Sequence, residues 1–306
     1  MVCIDKNTYY GLELGSCQLV KISADKGIIR RLEEVKVIPR RYQVLKRFNK
    51  DLLIIKEQLF RLKLIVLERK ECGHIEFRRI ASIFGNRVNL SDFEPFGDSK
   101  LAALYSDGLL MIVSVRRSQN RRVSKRITSK IKLSKMVNHA KNQENLTAFK
   151  VVSVPGGSDM LVVMIKNTKG LKKMILLKYE ENAKVEQRLE IAYEKVLNSN
   201  QELLRCKGFL DKAGRSYVVL HLKTQATVTS GQMLGLKTPD EGSTGEVLRV
   251  FNATESDLFE VKHLSRELGE VSLSDFFVTK AGIMGITNTG KLFKLGFGGQ
   301  DLLDFY

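Results

Sequence analysis

The chain is 306 residues long and 43% hydrophobic, with a formal net charge of +17. That apolar content fills a real core, in one large domain or two ordinary ones, and four prolines with 23 glycines argue against a long disordered linker. Cys3, Cys17, Cys72 and Cys206 lie too far apart for a disulfide framework, so reduced thiols and a reducing compartment are expected.

Residues 1–150 carry 31 basic and 15 acidic side chains, a net of +16, whereas 151–306 carry 20 and 19, a net of +1. Such a bias is expected where one half or one face meets an anion. The halves differ in charge, but 1–306 is expected to form a single domain.

The first residues, MVCIDKNTYYG, lack a basic start followed by an apolar core, so no signal peptide is expected. From Leu19 a unit recurs: a short apolar strand, a polar turn containing Gly, then a strand that often carries adjacent basic residues. The first copy is LVKI (19–22), SADKG (23–27), IIRRL (28–32). Arg47 to Ile65 follows, with short apolar runs compatible with an amphipathic helix or with paired strands. Leu59 to Leu67 is the most apolar region, but Arg61 and Lys63 interrupt it and it is too short to span a bilayer. The second copy is LIVL (64–67), ERKECG (68–73), HIEFRRI (74–80). Its Cys72-Gly73-His74 fits turn and strand residues better than half of a zinc site.

The third copy, LAALY (101–105), SDG (106–108), LLMIVSVRR (109–117), leads into the most distinctive stretch. Arg116 to Lys141 carries ten Lys or Arg side chains, inside a run from Gly108 to Gln143 without Asp or Glu. A hairpin whose outgoing strand delivers a basic loop to the surface is expected, and a polyanion is the natural neutralising partner. A solvated basic loop, an acidic protein and a membrane surface remain alternatives.

The fourth copy is LVVMI (161–165), KNTKG (166–170), LKKMILL (171–177). Residues 182–204 are rich in helix formers, with Val185, Leu189, Ala192 and Val196 at helical spacing, so a helical insertion is expected there. The fifth copy is RCKGFLD (205–211) with KAGRSYVVLHL (212–222); KTPDEGSTG (237–245) reads as a surface loop. The last is GIMGI (282–286), TNTG (287–290), KLFKL (291–295).

Gly supplies positive φ in tight hairpin turns, and the flanking apolar runs bury both strands. Turn glycines at 27, 73, 108, 170, 214 and 290 are spaced by 46, 35, 62, 44 and 76 residues, and the widest gap has room for another unit near Gly231 to Gly245. An all-β fold is expected, a closed array of small antiparallel sheets of the propeller kind, with an ordinary β-sandwich as the alternative.

GGSD (156–159) and GFGG (296–299) lack the spacing of a phosphate loop, and HExxH and GxSxG are absent. Cys72 with His74 has neither oxyanion donors nor an orienting partner in view. Neither enzymatic activity nor a cofactor is therefore expected. Basic residues recur after the turn at Arg30-Arg31, Arg78-Arg79, Lys172-Lys173, and Lys291 with Lys294. One member of each pair on a common outer edge would give a cationic band suited to duplex phosphates.

KGIIRRLEEVKVI (26–38), NTKGLKKMILLKY (167–179) and NTGKLFKL (288–295) resemble the repeat of the C-terminal domain of the DNA gyrase A and topoisomerase IV subunit family. The resemblance implies a β-pinwheel of about six blades that binds and bends duplex DNA over a basic edge. Gln119, Arg121, Arg122 and Lys125 resemble the polar members of that family's signature loop, with Val123 and Ser124 where glycines are expected. The family's cleavage domain has no counterpart, and Tyr9, Tyr10 and Tyr306 are not proposed as nucleophiles.

The expectation is a non-catalytic module that binds and bends duplex DNA through phosphate contacts, as part of a larger topoisomerase or chromatin-associated assembly. Its contacts would be Arg116, Arg117, Arg121, Arg122, Lys125, Arg126, Lys130 and Lys132, with Arg30, Arg31, Arg78, Arg79, Lys172, Lys173, Lys291 and Lys294. Neither a membrane nor a small-molecule substrate is expected; the location would be cytoplasmic, at the nucleoid, or nuclear in a eukaryote. Two alternatives stand beside this: a propeller scaffold docking an acidic protein through Arg116–Lys141, and an RNA-binding β protein.

Overall fold

Runs of aliphatic and β-branched residues, punctuated by turns of Gly, Asn and Asp, form antiparallel strands throughout the described residues. The computed structural model describes residues 2–296 except 4–7, 13–18, 26–27, 35–41, 49–51, 58–61, 70–74, 83–88, 98, 118–122, 138–145, 157–158, 199, 212, 225–244, 255–256, 270, 280–281 and 290–291. In residues 2–42, 62–82 and 292–296, the strands are described by backbone alone.

The strands form six sheets among the described residues, each built from consecutive strands, and in five of them every strand pairs only with its neighbours in the chain. The first has β1 (Val2–Cys3), β2 (Thr8–Leu12), β3 (Leu19–Asp25) and β4 (Ile28–Glu34). The second has β5 (Tyr42–Arg47), β6 (Leu52–Glu57), β7 (Leu62–Arg69) and β8 (Ile75–Ser82). The third has β9 (Leu90–Phe96), β10 (Lys100–Tyr105), β11 (Leu109–Arg117) and β12 (Val123–Lys132), followed by a short helix, α1 (Leu133–Met136). The fourth has β13 (Thr147–Val154), β14 (Met160–Lys166), β15 (Lys172–Tyr179) and β16 (Leu189–Leu197). The fifth has β17 (Gln201–Leu210), β18 (Ser216–Thr224), β19 (Glu246–Ala253) and β20 (Leu258–Glu260), with β21 (Arg266–Gly269) also pairing β19. The sixth has β22 (Leu273–Thr279), β23 (Gly282–Thr287) and β24 (Leu292–Gly296).

The chain divides into two compact units, residues 1–131 and 132–306. Within the first, β5 lies beside β2 and β9. Leu52 and Ile54 of the second sheet pack there with Leu101, Ala103, Met111 and Val113 of the third. Within the second unit, β17 lies between β13 and β22. Val218, Leu220 and Leu222 on β18 pack with Val162 and Met164, while Tyr217 and Val219 pack with Leu273 and Phe276. Both faces of the fifth sheet are thus buried, which is why SYVVLHL shows no apolar–polar alternation. Gly108, Gly170 and Gly214 hold φ of 76°, 84° and 77°, the left-handed conformation their hairpin turns require.

The expected helix at 182–204 does not form. A single 3-10 turn, Val185–Gln187, precedes β16, and β17 begins at Gln201. Two periodicities compete in this segment. Val185 and Val196 of the helical set are 57% and 56% exposed, whereas Leu189 and Leu197 are buried, on opposite faces of a strand whose alternation shifts where Tyr193 opposes Leu176 and Ile191 opposes Leu177. Pairing with β15 from Tyr179↔Leu189 to Lys172↔Leu197 gives the strand the tertiary support that an isolated helix would lack. Arg47 to Ile65 resolves as strands β5, β6 and β7. The region near Gly231 to Gly245 lies mostly outside the described residues.

Candidate functional site

The basic stretch that begins at Arg116 is largely strand. Val123, Ile127, Thr128 and Ile131 favour extended backbone, and β12 occupies Val123–Lys132 as an outermost strand of the third sheet. Of the expected basic loop, residues 118–122 and 138–141 lie outside the described residues. Ser124 Oγ donates to the Arg116 carbonyl and Thr128 Oγ1 to the Ile112 carbonyl, each at 3.3 Å, so β12 runs back along β11 with Ser124 beside Arg116.

Side chains alternate across a strand. Ser124, Arg126, Lys130 and Lys132 therefore share one face, which Arg116 joins through its place beside Ser124. Lys125 and Ile127 belong to the opposite face. Arg116, Lys125, Arg126, Lys130 and Lys132 are all exposed, and Ile127 is 52% exposed. Among the described residues, Arg116, Arg126 and Lys130 form no ion pair. Ser129 on β12 is buried.

The remaining basic candidates are dispersed. Arg30 and Arg31 are adjacent on β4 in the first sheet, and Arg78 and Arg79 on β8 in the second, each pair at a register shift in its strand pairing. Lys172 donates to the Gln201 carbonyl, and Lys173 pairs with Glu194 at 3.2 Å, so both are engaged within the second unit. Lys294 lies on β24. Arg117 ends β11, where its side chain is not described; Gln119, Arg121, Arg122, Lys291, Cys72 and His74 lie outside the described residues. The structure thus brings together the cations of one hairpin and leaves the others in separate sheets.

Three polar clusters join neighbouring sheets. Lys46 on β5 reaches β9, with Nζ 2.6 Å from Glu94 Oε2, 2.5 Å from the Phe93 carbonyl oxygen and 4.9 Å from the Phe93 ring centroid. Burial opposes the charge on Lys46, but Glu94 and Asp92 outweigh it and hold its pKa above the ordinary lysine value. Lys207 on β17 repeats the arrangement on β22, with Nζ 3.1 Å from Asp275 Oδ1, donating to the Phe276 carbonyl and lying 5.0 Å from the Phe276 ring centroid. The receiving strands carry one tetrapeptide twice, Leu90-Ser91-Asp92-Phe93 and Leu273-Ser274-Asp275-Phe276.

The third cluster centres on His221, fully buried on β18. Its Nε2–H donates to Glu246 Oε2 at 2.7 Å, and Arg205 Nη1 approaches Nδ1 at 3.4 Å. Ser272 Oγ and the Leu273 N–H also donate to Glu246, at 2.5 and 2.9 Å. Burial lowers the His221 pKa, and Glu246 offsets only part of that effect. For Glu246 burial works the other way, but the bonds from Ser272, Leu273 and His221 prevail and keep it below the ordinary carboxylate value. These donors and acceptors satisfy one another. The clusters are joints between sheets.

Among the described residues, no group of three or more His, Cys, Asp or Glu is placed to hold a metal ion. No described helix is long and apolar enough to cross a membrane.

Small antiparallel sheets of consecutive strands, packed face to face within each unit, define a β-propeller. Solved structures show the same fold. The β-propeller domain of Vanderwaltozyma polyspora Nup133 is similar to 92% of this chain over 77% of its own, with a TM-score of 0.57 at 12% identity. The Cps50 (Swd1) β-propeller domain from Myceliophteria thermophila is similar to 98% of this chain over 86% of its own, with a TM-score of 0.52 at 14% identity. No family model and no curated protein matches the sequence. Neither of these structures is a gyrase or topoisomerase domain.

Proposed function

We propose that this chain is a non-catalytic β-propeller scaffold that docks an acidic protein partner through the β11–β12 hairpin. The observation that carries this is the cluster of Arg116, Arg126, Lys130 and Lys132 on one face, exposed and drawn from a sequence run without carboxylates. Propeller sheets hold such a hairpin rigidly, so its charges meet a partner in a fixed pattern. Electrostatic complementarity then raises the association rate and sets orientation.

Duplex DNA is the competing partner, since the same cations suit phosphates. Two features favour protein. Ile127 stands exposed beside Lys125 on the other face of the same strand, and an apolar side chain gains nothing from a phosphate backbone but does gain from a protein surface. Lys172 and Lys173, two members of the band expected along a DNA path, are committed to Gln201 and Glu194 instead.

The test is a titration of the purified chain with a labelled Glu-rich peptide and, separately, a labelled duplex of matched charge, at physiological salt. Tighter binding of the peptide is expected. Tighter binding of the duplex, with a salt slope of roughly 0.9 per phosphate neutralised, would overturn the protein-docking reading.

A further inference from the structure

We infer that His221 and Arg205 form a pH-sensitive latch, which holds the sixth sheet against the fifth and releases β22 when the imidazole takes up a proton. This device is independent of the docking role proposed above.

The partners fix where the ring carries its proton. Glu246 accepts from Ser272 Oγ and from the Leu273 N–H, bonds that keep it a carboxylate able only to accept. The proton of neutral His221 therefore sits on Nε2, 2.7 Å from Glu246 Oε2, which leaves Nδ1 as an acceptor. A guanidinium can only donate, and Arg205 Nη1 meets Nδ1 at 3.4 Å. The same Nη1 donates to the Leu273 carbonyl at 3.0 Å, and Arg205 Nε lies 3.6 Å from Asp275 Oδ1. One guanidinium thus touches the ring on β18 and grips two residues of β22.

Protonation of Nδ1 reverses that contact. Two N–H donors and two positive charges then face each other, beside a ring that is fully buried. The Arg205 side chain is 33% exposed and can turn toward water. Its departure takes the donor from the buried Leu273 carbonyl and loosens the hold on Asp275. Burial opposes the imidazolium most, Glu246 favours it and Arg205 opposes it, so the proton is easier to accept once Arg205 has left. The remaining charges around the ring do not stand in for Arg205. Asp275 favours the imidazolium, and Lys207 is held by Asp275 and the Phe276 carbonyl. Lys223 lies exposed between Glu202 and Glu246, and Arg266 sits on β21 opposite Leu248.

Strand pairing decides which part moves. Arg205, His221 and Leu248 lie opposite one another on β17, β18 and β19, strands joined by backbone pairing along their length. Among the described residues, β22 pairs with β23 and meets the fifth sheet through side chains, with Leu273 and Phe276 packed against Tyr217 and Val219. The seam therefore opens before either sheet does.

Hydrogen–deuterium exchange of the full chain at pH 7 and pH 5, corrected for intrinsic rates, tests the latch. At pH 5 the amides of β22 should exchange about tenfold faster than at pH 7, with little dependence on low urea, the mark of a local opening. The ceiling is about thirtyfold, the ratio of protonated to neutral imidazole at pH 5 for an ordinary pKa near 6.5. Amides of β14 should stay slower and accelerate with urea, as global unfolding requires. His221→Gln supplies an amide that donates to Glu246 and accepts from Arg205, so β22 should stay protected at both pH values. No acceleration in β22, or one that matches β14 in rate and urea dependence, would overturn the latch, as would one that persists in His221→Gln. Ring-nitrogen NMR of the unaltered chain needs no variant. His221 should pass from the Nε2–H tautomer to the doubly protonated ring over the pH range in which β22 accelerates, and a ring still neutral where β22 has opened would also overturn the latch.

Discussion

Lys46 Nζ lies 2.6 Å from Glu94 Oε2 across the seam between the second and third sheets, and the same ammonium bonds the Phe93 carbonyl and covers the Phe93 ring. One side chain therefore supplies an ion pair, a charge-assisted hydrogen bond and a cation–π contact to one strand. Lys46→Met keeps the stem but leaves a part-buried carboxylate and carbonyl without their donor. The expected loss is about 1.5–3 kcal/mol in urea unfolding of the full chain. Lys207→Met should cost less, because both Lys207 and Asp275 are more exposed, at 36% and 63%. Equal and negligible losses would show that these seams are held by apolar packing alone.

Gly208 marks another seam. A Cβ there would overlap the Ser153 carbonyl oxygen on β13 and sit 3.0 Å from Pro155 Cδ. Since neither neighbour is the tip of a flexible side chain, Gly208→Ala must push β17 away from β13. A loss of about 1–3 kcal/mol is expected. Gly214→Ala has nothing within 4 Å of its Cβ but must hold φ at +77°, so only local strain of about 1 kcal/mol is expected. Thermal unfolding should separate the two, and Gly214→Asn should recover most of the second loss.

The His221–Glu246 pair predicts two losses of stability on acidification. The folded pKa of His221 lies below the ordinary 6.5, so between the two values the unfolded chain holds the extra proton. Its contribution is complete above about pH 6.5 and declines as pH falls toward the folded pKa. Glu246 is held below 4.5, so its contribution is present above that value and is lost as pH drops further. His221→Gln, whose amide can still donate to Glu246, should abolish the upper step and spare the lower. Urea midpoints measured from pH 7 to pH 3.5 would show this. An upper step that persists in the variant would assign it to another group.

On the hairpin, Arg126→Glu and Lys130→Glu change exposed side chains that lack ion pairs among the described residues. Their effect on stability should stay within about 0.5 kcal/mol. Their effect on an acidic partner should instead be large and should shrink as salt rises, because exposed charges are screened over roughly 8–10 Å at physiological salt.

Much of the architecture was legible from local chemistry. Each of the six Gly-turn hairpins falls in a different sheet, from β3–β4 in the first to β23–β24 in the sixth. The turn intervals were irregular because the hairpin shifts within the sheet. It joins the third and fourth strands in the first two sheets, the first and second in the fifth, and the second and third elsewhere. The 182–204 segment misled because Val185, Leu189, Ala192 and Val196 fit a helix, while the register shift at Tyr193 and Ile191 breaks the two-residue alternation of a strand; only the pairing with β15 decides between them. The basic cluster was visible as composition, but its strand conformation was not, since ten cations obscured the alternation of Val123, Ile127 and Ile131. The seams were missed for another reason. The repeated LSDF lies on the first strand of its sheet, away from the turns on which the repeats were aligned, and the partners Lys46 and Lys207 are distant in sequence.

The most direct test of the docking role is a charge swap at the hairpin. The chain and its Arg126→Glu/Lys130→Glu double variant are each titrated with a Glu-rich peptide and with its Lys-rich counterpart. The account predicts that the unaltered chain prefers the acidic peptide and that the double variant loses at least about tenfold in affinity for it while gaining affinity for the basic one. An acidic peptide that binds both proteins equally would contradict it.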